Sequence, residues 1–236
     1  MNKKLLLLIV ACMLTIVASA QVKHFDIKIG DFDNLIVYDN INVTYESDTL
    51  RAGTAVFDCP QNIADGLIFR NNTHGRLTIQ VATDLVGTPN LPTLHVYSSE
   101  LSLVENGGDS TVTLSHVRSQ KSLKAMLSDN GRINLDDAEV SELELMLITG
   151  KGIISASGFC NKLKTRLLGK GTIDALRVSA QHINVNMTGT GTIDVDAEGA
   201  ELNVRGSGTG RVNYLGTPSK LKVRKLGPMK VMQSDP

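Results

Sequence analysis

Gly171-Thr172-Ile173-Asp174-Ala175 and Gly191-Thr192-Ile193-Asp194-Val195 are one five-residue pattern written twice, 20 residues apart. The pattern recurs as Gly131-Arg132-Ile133-Asn134-Leu135, Gly152-Ile153-Ile154-Ser155-Ala156 and Gly210-Arg211-Val212-Asn213-Tyr214. Ser110-Thr111-Val112-Thr113-Leu114 fits in front of them. The steps from 110 to 131, 152, 171, 191 and 210 are 21, 21, 19, 20 and 19 residues. A period of this size signals a repeat architecture. A second alternating segment precedes most of these glycines. Leu123, Ala125, Leu127; Leu163, Thr165, Leu167; Ile183, Val185, Met187; and Leu202, Val204, Gly206 all stand 8, 6 and 4 residues ahead of their glycine. Leu143, Leu145 and Leu147 stand one residue further away, which predicts one extra turn residue near Thr149.

Apolar side chains at every second position mean β-strands. Each unit holds two or three short strands and cannot bury its apolar face alone. Stacking units about 4.8 Å apart solves this and lines up equivalent inward positions. Val112, Ile133, Ile154, Ile173, Ile193 and Val212 are expected to form one interior ladder. Leu114, Leu135, Ala156, Ala175, Val195 and Tyr214 form its neighbour. The predicted fold is all-β: a single-domain parallel β-helix, or β-solenoid, with coils of about 20 residues. Gly150, Gly169, Gly189 and Gly208 mark crowded corners, where a positive φ is cheap only for glycine. No helix signal follows them and no Gly-Lys-Ser/Thr occurs, so they do not read as a phosphate loop. Lys151 and Lys170 are read as solvated corner residues.

Residues 22–105 are less regular, but Phe25–Ile29, Ile41–Tyr45, Leu77–Val81 and Leu94–Tyr97 also alternate. Asn and Gly punctuation separates them. The solenoid domain is expected over 21–226, with 227–236 as an irregular C-terminal tail. Residues 1–20 read differently. Lys3 and Lys4 precede an apolar run from Leu5 to Val17, and Ala18-Ser19-Ala20 supplies small residues before Gln21. That is a secretory signal peptide. A second reading places a lipid anchor at Cys12, because Ile9-Val10-Ala11-Cys12 resembles a lipobox. The run is too short for a membrane span of about 20 residues.

The whole chain carries 24 basic and 24 acidic residues, so it lacks the basic excess of a nucleic-acid binder. With five Phe, four Tyr and no Trp, an aromatic platform for a ligand is not expected. Cys59 and Cys160 remain after export, and an exported protein can join such a pair. The spacing leaves the bond open. No Cys-x-x-Cys is present, so neither a metal knuckle nor a redox pair is supported.

The order of the segments resembles the auto-transporter adhesin, head GIN domain family. The residues that carry the resemblance are Phe25-Asp26-Ile27-Lys28-Ile29, Leu35-Ile36-Val37, Ile41-Asn42-Val43-Thr44-Tyr45 and Leu77-Thr78-Ile79. Pro92-Thr93-Leu94-His95-Val96-Tyr97, Leu101, Gly107-Gly108-Asp109-Ser110 and the Gly-x-Gly-x-Ile-Asp coils complete it. The resemblance implies an exported β-helix-type protein of the cell envelope with no assigned catalytic residue. An auto-transporter barrel would need a series of amphipathic membrane strands after residue 226, and no such series follows.

Four groups of residues are candidates for chemistry. Asp174 and Asp194 are expected side by side on an outward ladder, with Asp196 and Asn213 near them. Stacked carboxylates repel unless a cation separates them. A Ca²⁺ site is one reading, and a solvated pair on a polar face is the other. Asp129, Asp136 and Asp137, with Arg132 nearby, are the candidates for a polysaccharide lyase or hydrolase, which needs clustered carboxylates. Their other reading is turn capping, as in Asp129-Asn130-Gly131. The histidines are His24, His74, His95, His116 and His182. Only His95 and His116 are about one coil apart, at 21 residues. Asn42, Asn71 and Asn186 lie in Asn-x-Ser/Thr triplets, with Asn71 expected in an exposed loop. No residue reads as catalytic. The expected function is a binding or structural module, whose flat repetitive face suits a glycan or a surface protein. The alternative is a carbohydrate-active enzyme on the same scaffold.

Overall fold

The computed structural model describes residues 21–234, so the export segment 1–20 and Cys12 lie outside the described residues. The first half of the chain contributes β1 (Val22–Lys28), β2 (Asn34–Val37), β3 (Val43–Ser47), β4 (Thr54–Pro60), β5 (Leu67–Asn71), β6 (Arg76–Val81), β7 (Leu94–Ser98), β8 (Leu103–Asn106) and β9 (Thr111–Ser115). The second half contributes β10 (Arg118–Leu127), β11 (Arg132–Leu147), β12 (Ile153–Leu167), β13 (Thr172–Met187), β14 (Thr192–Asp196), β15 (Glu201–Ser207), β16 (Arg211–Leu215), β17 (Lys220–Leu226) and β18 (Lys230–Gln233).

Two parallel ladders run the length of the second half. One stacks β8, β10, β11, β12, β13, β15 and β17; the other stacks β9, β11, β12, β13, β14, β16 and β18. The long strands β11, β12 and β13 belong to both. Each bends from one face to the next, and the register slips at the bend, between Leu135 and Ala138 on β11 and between Ser155 and Ser157 on β12.

The interior ladders follow the repeat. Val112, Ile133, Ile154, Ile173, Ile193 and Val212 are in register and fully buried. Leu123, Leu143, Leu163, Ile183 and Leu202 form the matching ladder on the opposite wall. Each such side chain contributes about 1.5–3 kcal/mol on burial. The offset before Gly152 is absorbed at the corner, since Leu127, Leu147 and Leu167 stay in register. The extra residue is accommodated where Gly150 adopts φ 75°.

The four corner glycines divide between the two reasons, backbone handedness and crowding. Gly150 and Gly208 do have positive φ, at 75° and 103°. Gly169 and Gly189 do not. At Gly189 an added Cβ would sit 2.0 Å from the carbonyl oxygen of Gly169, and at Gly171 it would sit 2.0 Å from that of Gly152. At Gly169, Gly171 and Gly189, close stacking of one coil on the next, rather than backbone handedness, excludes a side chain.

The N-terminal third departs from simple winding. β2 lies between β6 and β8, and β3 between β7 and β9, so the first coil of the chain is sandwiched between two later ones. Beyond them β4 runs antiparallel to β7, β1 antiparallel to β4, and β5 antiparallel to β6. These three antiparallel strands close that end of the solenoid. Phe57 stacks between Phe25 and Phe69, with ring centroids 5.1 and 6.1 Å away. Asn106, fully buried, ties the next corner: its Nδ2 donates to the carbonyls of Ser110 and Arg132, and its Oδ1 accepts from the amide of Gly108.

Two local readings are corrected, and one left open is answered. Of the expected tail, the described residues 227–234 are not irregular, because β18 continues the ladder from β16 and Met229 is fully buried. Its alternation covers only four residues behind Gly227-Pro228, too short to stand out. Asn71 ends β5 and is half-buried rather than exposed in a loop. Its Nδ2 donates to the carbonyls of Ile29, Gly30 and Asp31. Cys59 and Cys160 are both buried and free. Burial pushes the Cys160 thiol up to about 11.

Candidate ligand-binding face

β10–β13, β15 and β17 build one flat outward face. Strand alternation aims every second side chain at solvent, and the parallel register stacks these into three columns. The first column reads Ser122, Glu142, Lys162, His182, Glu201 and Lys220. The second reads Lys124, Glu144, Lys164, Asn184, Asn203 and Lys222. The third reads Met126, Met146, Arg166, Asn186, Arg205 and Arg224.

The face is balanced at one end and cationic at the other. Glu142 lies between Lys162 and Lys164; it is 3.5 Å from the Lys162 ammonium and accepts a hydrogen bond from Lys164. That hydrogen bond holds the Glu142 carboxyl below its ordinary range. Lys124 reaches Glu144 at 3.9 Å. Glu201 faces His182 at 3.5 Å and Lys220 at 3.8 Å. Among the described residues, Arg166, Arg205, Lys222 and Arg224 have no carboxylate partner. Two adjoining shallow grooves of about 340 Å³ each cross this part of the face and share Lys162, Asn184 and Asn203 in their walls. Amide, ammonium and guanidinium groups line it, and no Phe, Tyr or Trp stands in any column.

The opposite face carries the carboxylates read from the sequence. Asp174 and Asp194 are register partners, as expected. Asn213 donates to Asp194 at 2.7 Å, while the Asp174 and Asp196 carboxylates accept backbone amides of Leu176 and Glu198. Burial raises the Asp194 carboxyl above its ordinary range; the Asn213 hydrogen bond opposes this and the Asp174 charge adds to it. Among the described residues, no group of three or more His, Cys, Asp or Glu side chains is arranged to hold a metal.

The hydrolase candidates are not brought together. Asp129 sits in a glycine corner and accepts from Asn130 at 2.8 Å. Asp137 lies beyond the far end of the Arg132–Asp136 run, about 13 Å of extended chain. There Arg118 holds it at 2.6 Å, with His116 at 3.8 Å. The hydrogen bond from Arg118 keeps Asp137 below its ordinary range, so it is an ionised structural anion. His95 and His116 are not neighbours either: β3 lies between β7 and β9, and His116 faces Asp137.

The cationic columns were within reach of the sequence. Lys162-x-Lys164-x-Arg166 and Lys220-x-Lys222-x-Arg224 alternate in the strand period. Their signal is a run of cations at strand spacing, separate from the carboxylate pattern that acid–base chemistry needs.

The fold has solved relatives. A "putative adhesin" from Bacteroides fragilis NCTC 9343 superimposes with a TM-score of 0.78 at 17% identity, covering 92% of this chain and 98% of that one. A "putative lipid binding protein" from Parabacteroides distasonis ATCC 8503 gives 0.70 at 19% identity, with the same coverages. A "putative adhesin" from Parabacteroides merdae ATCC 43184 gives 0.68 at 16%, again with those coverages. At such identities the likeness is one of fold. No curated protein matches the chain. No helix of the described residues is long and apolar enough to cross a membrane. The model of the family "Putative auto-transporter adhesin, head GIN domain" matches residues 31–218, and the chain belongs to that family.

Proposed function

We propose that this protein is an exported, non-enzymatic binding module of the cell envelope that holds an extended ligand against the flat face of β10–β13, β15 and β17. One observation carries the reading: three in-register columns, polar except at Met126 and Met146, form a continuous surface, while the carboxylates that could do acid–base chemistry stand apart. A stacked surface of this kind offers the same contacts coil after coil, which suits a repetitive polymer better than a small enclosed substrate. The family and the sequence of residues 1–20 support export, with the periplasm, the outer-membrane surface or the medium as the destination.

The test is binding of the purified protein to an array of glycans and extracellular-matrix proteins, with calcium and with chelator. Saturable binding without chemical change of the ligand is the expected result. Loss of binding in chelator would bring the Asp174, Asp194 and Asp196 carboxylates into the site as a calcium position. A blank array under both conditions would refute the binding-module reading and leave a structural envelope role.

A further inference from the structure

We infer that the ligand of this face is an anionic polysaccharide, carboxylated or sulfated, which lies along the solenoid axis over Arg166, Asn186, Arg205 and Arg224. This rests on the binding-module reading above and adds the ligand class, its direction and the residues that select it.

The charge pattern of the stack carries the argument. In parallel coils each outward residue has a neighbour about 4.8 Å above and below, so like charges in one column repel. The early rows answer this by setting Glu142 and Glu144 against Lys162, Lys164 and Lys124. The later rows do so only at Glu201, which faces His182 and Lys220. Arg205 is directly beside Arg224, and Asn203 beside Lys222. Residues 201–234 hold seven basic residues and one acidic residue, in a chain that is neutral as a whole. Lysines on an exposed edge strand also discourage pairing with another chain, and β17 is such an edge. That reason does not reach Arg166 on β12 or Arg205 on β15, which lie inside the sheet.

The geometry then selects the partner. The third column from Arg166 to Arg224 spans three coil steps, about 14 Å. Arginine's planar fork pairs with carboxylate or sulfate through two parallel hydrogen bonds. Asn184, Asn186 and Asn203 each offer a donor and an acceptor, which suits hydroxyl groups. A neutral glycan would be expected to stack on Trp, Tyr or Phe, and these rows have none. A protein partner would favour an apolar or aromatic centre, and a membrane surface would favour apolar side chains at the contact. The lining residues of the two grooves are almost all polar at their outward positions.

The test uses polygalacturonate and heparin as anionic probes, dextran as a neutral one, and phosphatidylglycerol vesicles as an anionic surface of another class. Binding is measured by calorimetry at low and high salt. Both anionic polysaccharides should bind, dextran should not, and affinity should fall steeply as salt rises. The double variant Arg205→Gln/Arg224→Gln should bind at least about tenfold more weakly, because charge-assisted contacts are lost. Arg132→Gln, an exposed change on the other face, should bind as the parent does. Circular dichroism of each variant controls for folding. Undiminished binding by the double variant would overturn the assignment, as would vesicles binding more tightly than polygalacturonate. Binding to dextran or to matrix proteins alone would overturn the anionic class and leave the module standing. No binding to any glycan, protein or vesicle would remove both.

Discussion

Replacing Gly171 by alanine tests what sets the spacing between coils. The new Cβ would lie 2.0 Å from the carbonyl oxygen of Gly152 and 2.6 Å from Leu147 Cδ1. Carbon and oxygen do not approach within about 3 Å, so the two coils must part by roughly 1 Å at this corner. The Gly152 oxygen accepts the Thr172 amide at 3.0 Å, and that hydrogen bond would be lost. An unmade buried hydrogen bond costs about 1–3 kcal/mol and overpacking a similar amount. Alanine returns about 0.4–1 kcal/mol by restricting the unfolded chain. The net expectation is a loss of about 3 kcal/mol. Gly199→Ala supplies the control. Gly199 has φ 68° and nothing within 4 Å of an added Cβ, so only left-handed strain applies. That strain is about 1–2 kcal/mol. Guanidinium unfolding followed by circular dichroism measures both, with the slope checked for a change in the unfolding reaction. Gly171→Ala should be the more damaging by about 2 kcal/mol. If Gly199→Ala proves equal or worse, backbone handedness rather than coil contact explains these glycines, and the stacking argument fails.

Thr165 carries a fully buried hydroxyl without a hydrogen-bond partner, in register with Leu145 and Val185. Thr165→Val should therefore stabilise the protein by about 1 kcal/mol in the same unfolding assay; destabilisation would mean that the hydroxyl is satisfied. Asp194 has its carboxyl raised in the folded state, so the folded protein holds this proton to higher pH than the unfolded chain does. Its ionised form costs stability as pH rises through that raised value, and the cost vanishes below the ordinary carboxylate range. Asp194→Asn should raise the melting temperature at pH 7, by an effect of about 0.5–1 kcal/mol, and should match the parent in acid; a pH-independent difference would refute this. Cys160, with its thiol near 11 and its side chain buried, should resist iodoacetamide at pH 8 until denaturant is added, as followed by mass spectrometry. Ile173→Ala, in the middle of the fully buried ladder, should cost about 2–5 kcal/mol in guanidinium unfolding; a loss below 1 kcal/mol would deny the ladder its central place.

The wound half of the molecule was legible because its information is local and repeated. Alternation at every second residue places Ile133, Ile154, Ile173 and Ile193 on the inner side, and the near-constant period then forces them into register. Even the extra residue before Gly152 could be counted. The candidate face was legible in part: the repeat puts Lys162, Lys164 and Arg166 on one side of β12. Whether each cation meets a carboxylate depends on the strand stacked beside it.

Much of the N-terminal third was beyond such reading. Its strands alternate, but nothing local says that β2 and β3 slide between the β6–β7 and β8–β9 coils, or that β1, β4 and β5 turn antiparallel. Those pairings join segments distant in sequence, and they are selected by which arrangement stacks Phe57 between Phe25 and Phe69 and sets Phe32 against Tyr45 while satisfying the end coil's backbone. The separation of Asp129 from Asp137, and of His95 from His116, was decided in the same way. The sequence determined the repeating wall and its inward residues through a period that each coil restates. Only the tertiary structure decided how the solenoid is closed and which charges on its surface are left without a partner, because both depend on contacts between residues that share no local pattern.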